Sequence, residues 1–218
     1  MSAKPLPPIV DAETWDAARL EILAQEKAVT RARDALAAAR RRLPMVEVTR
    51  GYSFVGPEGA TDLPGLFAGF DQLIVYHHML KAGDPAPCPG CCMFADNVGH
   101  LAHLNARNTR FVMVSRAPIN EITAFRQRMG WTMPFYSTVD NFNGDFNVAT
   151  GFGLNVFLRD GERIFRTYFI TDRAAEAIGN VWSLLDLTPY GRQESWEDSP
   201  AGWPQTKPYQ WWRRHDEY

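Results

Sequence analysis

"QLIVYHHMLKAGDPAPCPGCCMF" (residues 72–94) is the stretch that decides the fold. It opens with an apolar run, Gln72–His78, whose length is typical of a central strand buried on both faces of a sheet. A loop rich in Pro and Gly follows over 81–87, and a helix is predicted to begin at Pro89. The stretch holds all three cysteines of the chain, so its geometry decides whether they form a redox site, a metal site or a turn.

The spacing Cys88-Pro89-Gly90-Cys91 predicts a redox-active dithiol. If Cys88 is the N-cap, Pro89 takes the first helical position, where its missing N–H costs nothing. Cys88 then faces the free N–H groups and the positive end of the helix, which both favour the thiolate. Cys91 lies one turn later, within disulfide reach, so Cys88 is the predicted nucleophile and Cys91 the predicted resolving thiol. The alternative is that the cysteines are small apolar residues that fill a helix start.

The elements around this stretch follow the order β-α-β-α-β-β-α. The first helix is predicted over 89–107, a second buried strand over Thr109–Ser115, and a further helix over 119–130. Asp160-Gly161 is the predicted turn of a hairpin, and the last helix is predicted over 172–187. Strands joined by a helical crossover should be parallel, and the hairpin antiparallel. The sequence therefore predicts an α/β fold that resembles thioredoxin, with a mixed sheet flanked by helices.

Two segments are predicted to lie outside this domain, which covers 46–190. Residues 1–45 form an N-terminal helical arm, in which Asp11 or Thr14 caps a long helix that ends before Pro44. Residues 191–218 form a C-terminal extension with four of the seven tryptophans. Because an exposed tail rarely holds so many, the extension is predicted to pack on the domain or on a partner subunit.

Charge and hydropathy narrow the classes of partner. The net charge of −2 over 218 residues argues against nucleic acid, because phosphate binding needs clustered Lys and Arg. No run approaches the ~20 apolar residues of a membrane span, and the N-terminus has no apolar signal region, which predicts a cytoplasmic protein without membrane contact. "GFGLNVF" lacks the glycine spacing of a dinucleotide fingerprint, so no cofactor is implied.

Zinc is the competing interpretation of the cysteines, since His100 and His103 follow them. One helix over 89–107 would separate Cys91 from His100 by about 13.5 Å along its axis, whereas zinc binds its ligands at ~2.0–2.3 Å. No metal is therefore predicted.

Three further residues near the dithiol are candidate auxiliaries. His77 and His78 end the preceding strand on opposite faces, where either could stabilise the Cys88 thiolate or join the cysteines at a metal. The simpler interpretation is that each histidine is a satisfied core residue. Cys92 is interpreted as a buried core thiol, with an alternative resolving thiol as the second interpretation.

A peroxidase site is a further interpretation of the reactive cysteine. Peroxiredoxins place a Thr or Ser three residues before that cysteine, where this chain has Pro85. They also place an Arg just before a later strand, where this chain has "TGFGLNVF". Arg116 follows the strand Thr109–Ser115 and could approach the same pocket. Disulfide exchange is the stronger hypothesis.

The chain resembles the DUF899 family of bacterial thioredoxin-like proteins over nearly its whole length. The resemblance to thioredoxins implies thiol–disulfide chemistry at Cys88 and Cys91. The matching stretches are "AARLEILAQEKAVTRARDALAAARRRLP" (17–44), "LIVYHHML" (73–80), "CPGC" (88–91), "VSRAP" (114–118), "RMGWTMPFYS" (128–137), "NVFLRDGE" (155–162), "LDLTPYGR" (185–192) and "WWRRHDEY" (211–218).

Two departures from thioredoxin concern substrate binding. Thioredoxins have a cis-proline before the hairpin strand that binds substrate backbone, and the matching place near Leu154-Asn155 has no proline. They also have Trp before the first cysteine, where this chain has Pro87. Trp131 and Pro134, after the second core helix, are candidates for a substrate pocket near the dithiol, with core packing as the alternative.

The leading hypothesis is a cytoplasmic thiol–disulfide oxidoreductase whose partners are protein or small-molecule disulfides and thiols. The second hypothesis is a non-enzymatic homodimeric scaffold, or a metal- or redox-sensing protein, assembled through the N-terminal helix and the Trp-rich extension. A peroxiredoxin-like thiol peroxidase ranks third.

Overall fold

The computed structural model describes residues 5–218. The strands are β1 (Val46–Glu47), β2 (Ser53–Gly56), β3 (Gly59–Asp62), β4 (Gln72–His77), β5 (Thr109–Ser115), β6 (Phe135–Thr138), β7 (Gly153–Asp160) and β8 (Arg163–Ile170). The α-helices are α1 (Ala12–Arg40), α2 (Leu63–Phe67), α3 (Pro89–Asp96), α4 (Ala102–Asn105), α5 (Ile119–Arg128), α6 (Phe142–Asp145) and α7 (Asn180–Leu185). Two 3-10 helices span Asp172–Ile178 and His215–Glu217.

The pairing of the strands defines the fold class. Within residues 5–218, eight strands form one sheet in the order β1-β8-β7-β4-β5-β6-β2-β3. β4 pairs parallel with β5, and β7 pairs antiparallel with both β4 and β8. Two parallel strands beside an antiparallel hairpin, in the order β8-β7-β4-β5, form a thioredoxin-like core. The prediction of an α/β fold with a mixed sheet, flanking helices, an N-terminal helical arm and a Trp-rich extension is confirmed.

The central strands divide the interior into two hydrophobic cores, one on each face of the sheet. Tyr76 and Met113 belong to the first core, with side chains of α3, α5 and α7. Val75 and Val112 belong to the second core, with side chains of α2 and α6. Because successive side chains of a strand point to opposite faces, the helix that carries the cysteines lies on the Tyr76 face.

The helix that begins at Pro89 is shorter than predicted. α3 ends at Asp96 rather than near 107, and α4 follows as a separate turn. Asn97 interrupts it: its Nδ2 donates to the Met93 carbonyl at 2.6 Å, and its Oδ1 accepts the Val181 N–H at 2.7 Å. Gly99 lowers the helix propensity further. The side chain of Asn97 thereby joins the end of α3 to the start of α7.

The helix predicted over 172–187 is divided at Gly179. A 3-10 helix covers Asp172–Ile178, and α7 begins only after the glycine. A Cβ at Gly179 would collide with the ring of Trp182, so this close packing requires glycine. The interruption leaves Trp182 only 3% exposed, within the first core.

The sheet extends further on the β5 side than the sequence predicts. β6 pairs parallel with β5, although no strand is predicted over 135–138. β2 then pairs antiparallel with β6, and β3 closes the sheet as the other half of a hairpin. These additions lie at the edge away from β7 and β8, so they leave the thioredoxin-like core unchanged.

α1 lies outside both cores. Asp11 is its N-cap, and its carboxylate accepts the Thr14 N–H at 2.8 Å. None of its residues is buried. Among the helices of residues 5–218, α1 included, none has the length and apolar character needed to cross a membrane. Four large apolar side chains, each at least half exposed, recur every seven residues along α1: Trp15, Ile22, Val29 and Leu36.

Candidate active site

The dithiol lies at the start of α3, directly after the loop that follows β4. Cys88 is the N-cap and Pro89 occupies the first turn. The carbonyl of Cys88 accepts the Cys92 N–H at 3.1 Å, which closes the first turn of the helix. All three cysteines are free thiols, of which Cys88 is partly exposed while Cys91 and Cys92 are buried. Cys88 is therefore the one of the three thiols that solvent reaches.

The two thiols of the motif differ in acidity. A hydrogen bond with the Cys91 thiol lowers the pKa of Cys88 to about 6, with help from the backbone N–H groups of Gly90 and Cys91 and against the effect of partial burial. The same hydrogen bond, together with burial, raises the pKa of Cys91 well above its ordinary value. The pair therefore holds one proton at neutral pH, with the negative charge at Cys88 and the proton at Cys91.

A cavity of about 280 Å³ opens beside the two thiols. Six of its fourteen lining residues are aromatic, and its charged members, Asp172, Arg173 and Glu176, belong to the 3-10 helix that precedes α7. The volume is close to the lower end of the ~300–1,000 Å³ that is usual for small-molecule sites. The aromatic side chains that line the cavity are Tyr76, Phe94, Phe152, Trp182, Tyr209 and Trp212.

The C-terminal extension packs over the dithiol motif. A Cβ at Gly90 would lie 2.5 Å from the ring of Trp212, so the glycine within the motif is what allows the indole to lie directly on α3. Arg214 Nη1 donates to the Pro87 carbonyl at 2.8 Å. The extension therefore contacts the chain both before Cys88, at Pro87, and after it, at Gly90. We call residues 209–214 the strap.

A buried carboxylate holds the strap in place. Glu194 is 2% exposed, and its Oε1 accepts the Tyr209 N–H and the Trp211 indole N–H, both at 2.8 Å. Its Oε2 accepts the Trp196 indole N–H at 2.5 Å. Three donors thus compensate for the burial of this carboxylate, and two of them belong to the strap.

His77 makes its hydrogen bonds on the face opposite to the dithiol. Its Nδ1 lies 3.0 Å from Asn143 Oδ1, and its Nε2 lies 3.0 Å from Asn155 Nδ2. The ring also stacks on Phe142 of the second core, with centroids 5.3 Å apart. Burial lowers the pKa of His77 to about 4, so the imidazole is neutral at pH 7.

His78 lies on the same face as the dithiol but has other partners. Its Nδ1 accepts the Leu80 N–H at 3.0 Å, and its Nε2 lies 4.0 Å from Cys92 Sγ. Burial lowers the pKa of His78 to about 3. In residues 5–218 neither His77 nor His78 hydrogen-bonds to Cys88 or Cys91, so neither is positioned to stabilise the thiolate directly.

Arg116 and Cys92 also lie away from the cavity beside Cys88. Arg116 donates to the carbonyls of Val148 at 3.0 Å and Ala149 at 2.5 Å, and it lines a separate cavity of about 190 Å³. Cys92 is fully buried in the first core, and burial raises its pKa to about 12.

Trp131 and Pro134 do not line the dithiol cavity, which corrects the expectation that they could. Trp131 is 8% exposed and donates from its indole to Asp96 at 2.7 Å, at the far end of α3 from Cys88. Pro134 precedes β6, and its carbonyl accepts the Met113 N–H at 2.8 Å. The segment after α5 therefore continues the sheet and does not reach the thiols.

The aromatic residues that do line the cavity come from segments distant in sequence. Trp182 reaches it from α7, Trp212 from the strap, and Phe152 from the residue before β7. Of these three residues, only Trp212 has a sequence signal, which is the clustering of tryptophans in 191–218.

The histidines of the zinc interpretation lie beyond the break after α3. His100 and His103 are both exposed, and their ring centroids are 6.3 Å apart. Within residues 5–218, no three His, Cys, Asp or Glu side chains lie close enough together to hold a metal ion.

Three solved structures are similar to part of the chain. The peroxidoxin BcpB from Mycobacterium tuberculosis is 18% identical with a TM-score of 0.46, over 62% of this chain and 95% of that one. A PrxQ mutant from Xylella fastidiosa is 14% identical with a TM-score of 0.45, over 65% and 94% of the two chains. A putative thiol:disulfide interchange protein, DsbE, from Chlorobium tepidum is 14% identical with a TM-score of 0.41, over 62% and 93%. No curated protein sequence matches the chain.

One protein family matches the chain almost from end to end. Residues 4–218 fit the model of DUF899, which is described as a bacterial protein of unknown function. The match includes the helical arm, the dithiol at the start of α3, and the strap. The chain belongs to the DUF899 family.

Proposed function

We propose that this protein is a thiol–disulfide oxidoreductase that uses Cys88 and Cys91. The observation that carries the proposal is the division of roles between the thiols. Cys88 is partly exposed with a pKa of about 6, and the buried Cys91 beside it retains its proton. The thiolate is the attacking form of cysteine, so Cys88 has the acidity that a nucleophile needs at neutral pH.

The proposed reaction has two steps. The Cys88 thiolate attacks one sulfur of a substrate disulfide, which forms a mixed disulfide with Cys88 and releases the first substrate thiolate. Cys91 then loses its proton and its sulfur attacks Cys88 Sγ, which forms the Cys88–Cys91 disulfide and releases the second substrate thiol. The substrate gains two electrons and the dithiol loses two. An external dithiol must reduce the protein again.

Disulfide exchange is better supported than peroxide reduction. A buried second thiol hydrogen-bonded to the nucleophile suits the resolving step of an exchange reaction. The arginine that the peroxidase interpretation needs, Arg116, is bound to backbone carbonyls and lines another cavity. We propose the cytoplasm as the location, because three cysteines among 218 residues do not make the disulfide framework that is common in secreted proteins.

The pH dependence of alkylation tests the proposed function. In the reduced protein the rate at which iodoacetamide modifies Cys88 should rise through pH 6 and level off above about pH 7, because the thiolate fraction follows the lowered pKa. At pH 7 about nine-tenths of Cys88 should be ionised, against about one-hundredth for a thiol with the ordinary pKa of 9.0. Mass spectrometry of the modified peptide gives the rate.

The unfolded chain is the control for this measurement. In denaturant, the midpoint for Cys88 should return to its ordinary value near 9.0. A folded protein whose Cys88 midpoint stays in that range would contradict the proposed function.

The second candidate function is a scaffold that forms a homodimer through α1. The same homodimer is also compatible with an enzyme. A coiled-coil seam has apolar side chains at positions a and d of each heptad, and an apolar residue at every seventh position forms one of these two rows. Trp15, Ile22, Val29 and Leu36 follow this pattern and are each at least half exposed, although Leu36 also lines a cavity with Phe94 of the first core. A second copy presents the same stripe, so a two-fold pairing would bury both stripes at once.

Replacing Ile22 by lysine tests this assembly. We expect the wild-type protein to be a dimer at micromolar concentration in light scattering and Ile22→Lys to be a monomer, because the change puts a charge in the middle of the seam. Leu20→Lys is the matched control, since Leu20 is 64% exposed on α1 but lies outside the stripe. A monomeric wild type, or a dimer that both variants preserve, would remove the α1 pairing.

A further inference from the structure

The cavity beside the dithiol holds polar groups without partners. The Trp182 indole N–H and the Trp212 indole N–H are both buried, and neither makes a hydrogen bond within residues 5–218. Both side chains line the cavity, and Trp182 is itself 3% exposed, whereas the Tyr76 hydroxyl in the same lining is engaged by the Cys91 thiol. Buried donors are nearly always satisfied in folded proteins, so two orphan donors around one cavity indicate a site for a ligand with hydrogen-bond acceptors.

The chemistry of the remaining lining indicates an uncharged, aromatic ligand. Phe94, Phe152 and the two indoles offer ring faces and edges for stacking, which is worth more than burial alone for an aromatic partner. Arg173, the cation on the rim, is already engaged: it lies 3.5 Å over the Trp196 ring and 3.7 Å from Glu176. The lining therefore offers neutral donors to a neutral acceptor and no unengaged cation to a carboxylate.

The strap restricts the size of what can enter. Trp212 lies on Gly90, and Arg214 binds the Pro87 carbonyl, so the backbone on either side of Cys88 is already covered by the chain itself. A protein disulfide needs an extended segment to lie beside the reactive cysteine, and here the strap occupies that surface. A small molecule needs only the cavity.

We propose that the substrate of this dithiol is a low-molecular-weight, uncharged aromatic disulfide that carries a hydrogen-bond acceptor. This inference rests on the proposed function. One aromatic half stacks in the cavity and accepts from the orphan donors, with its sulfur facing Cys88. Cys88 attacks that sulfur, the other half leaves as its thiolate, and Cys91 then displaces the bound half as a thiol, with an external dithiol restoring the protein.

Dithiodipyridine is the probe that tests the inference, because it is uncharged and aromatic and has an acceptor nitrogen on each ring. The reduced protein is mixed with this probe, with bis(hydroxyethyl) disulfide and with insulin, and each initial rate is divided by that of free glutathione with the same disulfide. We expect the normalised rate for dithiodipyridine to exceed the other two rates by at least about tenfold, because a disulfide that lacks even one hydrogen bond to the cavity loses about that factor. The rate should also saturate as the concentration of dithiodipyridine rises.

Two variants test whether the preference for dithiodipyridine depends on the residues that line the cavity. Trp182→Phe removes one orphan donor while keeping a ring, and Trp212→Leu removes both a ring and a donor. Each should raise the half-saturating concentration of dithiodipyridine by about tenfold while Cys88 keeps its alkylation midpoint. Trp203→Leu is the matched control, since Trp203 lies in the same extension but packs on Tyr190, with ring centroids 5.4 Å apart.

The outcomes separate this inference from the proposed function. A normalised rate that is highest for insulin, or a linear dependence on dithiodipyridine that neither variant alters, overturns the small-molecule substrate but leaves a working dithiol. If the protein reduces all three disulfides no faster than free glutathione does, both the small-molecule substrate and the proposed function are overturned. Should Trp212→Leu fail to fold, Gly90→Ala displaces the same ring without removing it and should give the same rise.

Discussion

Replacing Cys88 by serine should lower the rate of disulfide reduction by at least about a thousandfold, because a serine hydroxyl is not ionised at neutral pH and does not attack sulfur. Cys88 alone combines access to solvent with a pKa of about 6, whereas Cys91 and Cys92 are buried with raised pKa values. Neither buried thiol is positioned to take over the first step. The measurement is the rate at which the protein consumes a disulfide probe while an external dithiol in excess reduces the protein again.

Replacing Cys91 by serine should have a different effect, which distinguishes a resolving thiol from a structural one. The first substrate thiol should still be released, but the mixed disulfide on Cys88 should persist, because no second thiol displaces it. Intact mass spectrometry would detect the added half of the probe.

Cys92→Ser is the matched control for both changes. Cys92 lies next to the pair in sequence, but it is fully buried, so turnover should stay near that of the wild type. If Cys92→Ser traps the mixed disulfide and Cys91→Ser turns over normally, the roles assigned to these two thiols are exchanged. If Cys88→Ser retains most of the activity, the dithiol is not the reactive centre.

The part of the site that could be predicted from sequence is the part that depends on neighbouring residues. Cys88 caps α3 because Pro89 fixes the first turn, and Cys91 approaches it because one helical turn separates them. The alternation of β4 likewise predicts that His77 and His78 face opposite sides of the sheet. Which partners those histidines find, Asn143 and Asn155 for one and the Leu80 N–H for the other, depends on the packing of distant segments.

The limits of sequence reasoning have specific physical causes. α3 ends early because the Asn97 side chain bonds to Val181, a contact between residues far apart in the chain. The helix over 172–187 breaks because Trp182 needs the space that Gly179 leaves. Trp212 lies on Gly90 for a similar reason, so glycine within the cysteine motif has a tertiary role that the motif alone does not reveal. In each case the packing of one particular side chain decides the local structure, and for Asn97 and Trp212 its partner lies far away in the chain.

Replacing Glu194 by alanine should expose the dithiol to large reagents. The carboxylate accepts hydrogen bonds from Trp196, Tyr209 and Trp211, and it is 2% exposed. Its removal leaves three partly buried donors without their charged acceptor, which costs about 3 kcal/mol in total. Because two of those donors belong to the strap, the fraction of molecules with the strap lifted should rise by about a hundredfold.

The size of the alkylating reagent reports the position of the strap. N-ethylmaleimide should modify Cys88 at a similar rate in wild type and Glu194→Ala, whereas a maleimide on a large polyethylene glycol should react at least about tenfold faster with the variant. The same variant should gain activity toward insulin, since the surface beside Cys88 becomes available to an extended chain. Circular dichroism checks that the sheet remains folded.

Two further variants decide whether the effect comes from the hydrogen bonds of Glu194. Glu194→Gln keeps one acceptor oxygen and should give an intermediate rate with the bulky maleimide. Asp198→Ala removes an exposed carboxylate from the same segment and should react like the wild type.

A folded Glu194→Ala protein that excludes the bulky reagent as well as the wild type does would mean that the strap is held without the carboxylate. The contacts of Trp212 with Gly90 and of Arg214 with Pro87 would then hold it. In that case Gly90→Ala, which pushes against the Trp212 ring, should be the change that opens the site.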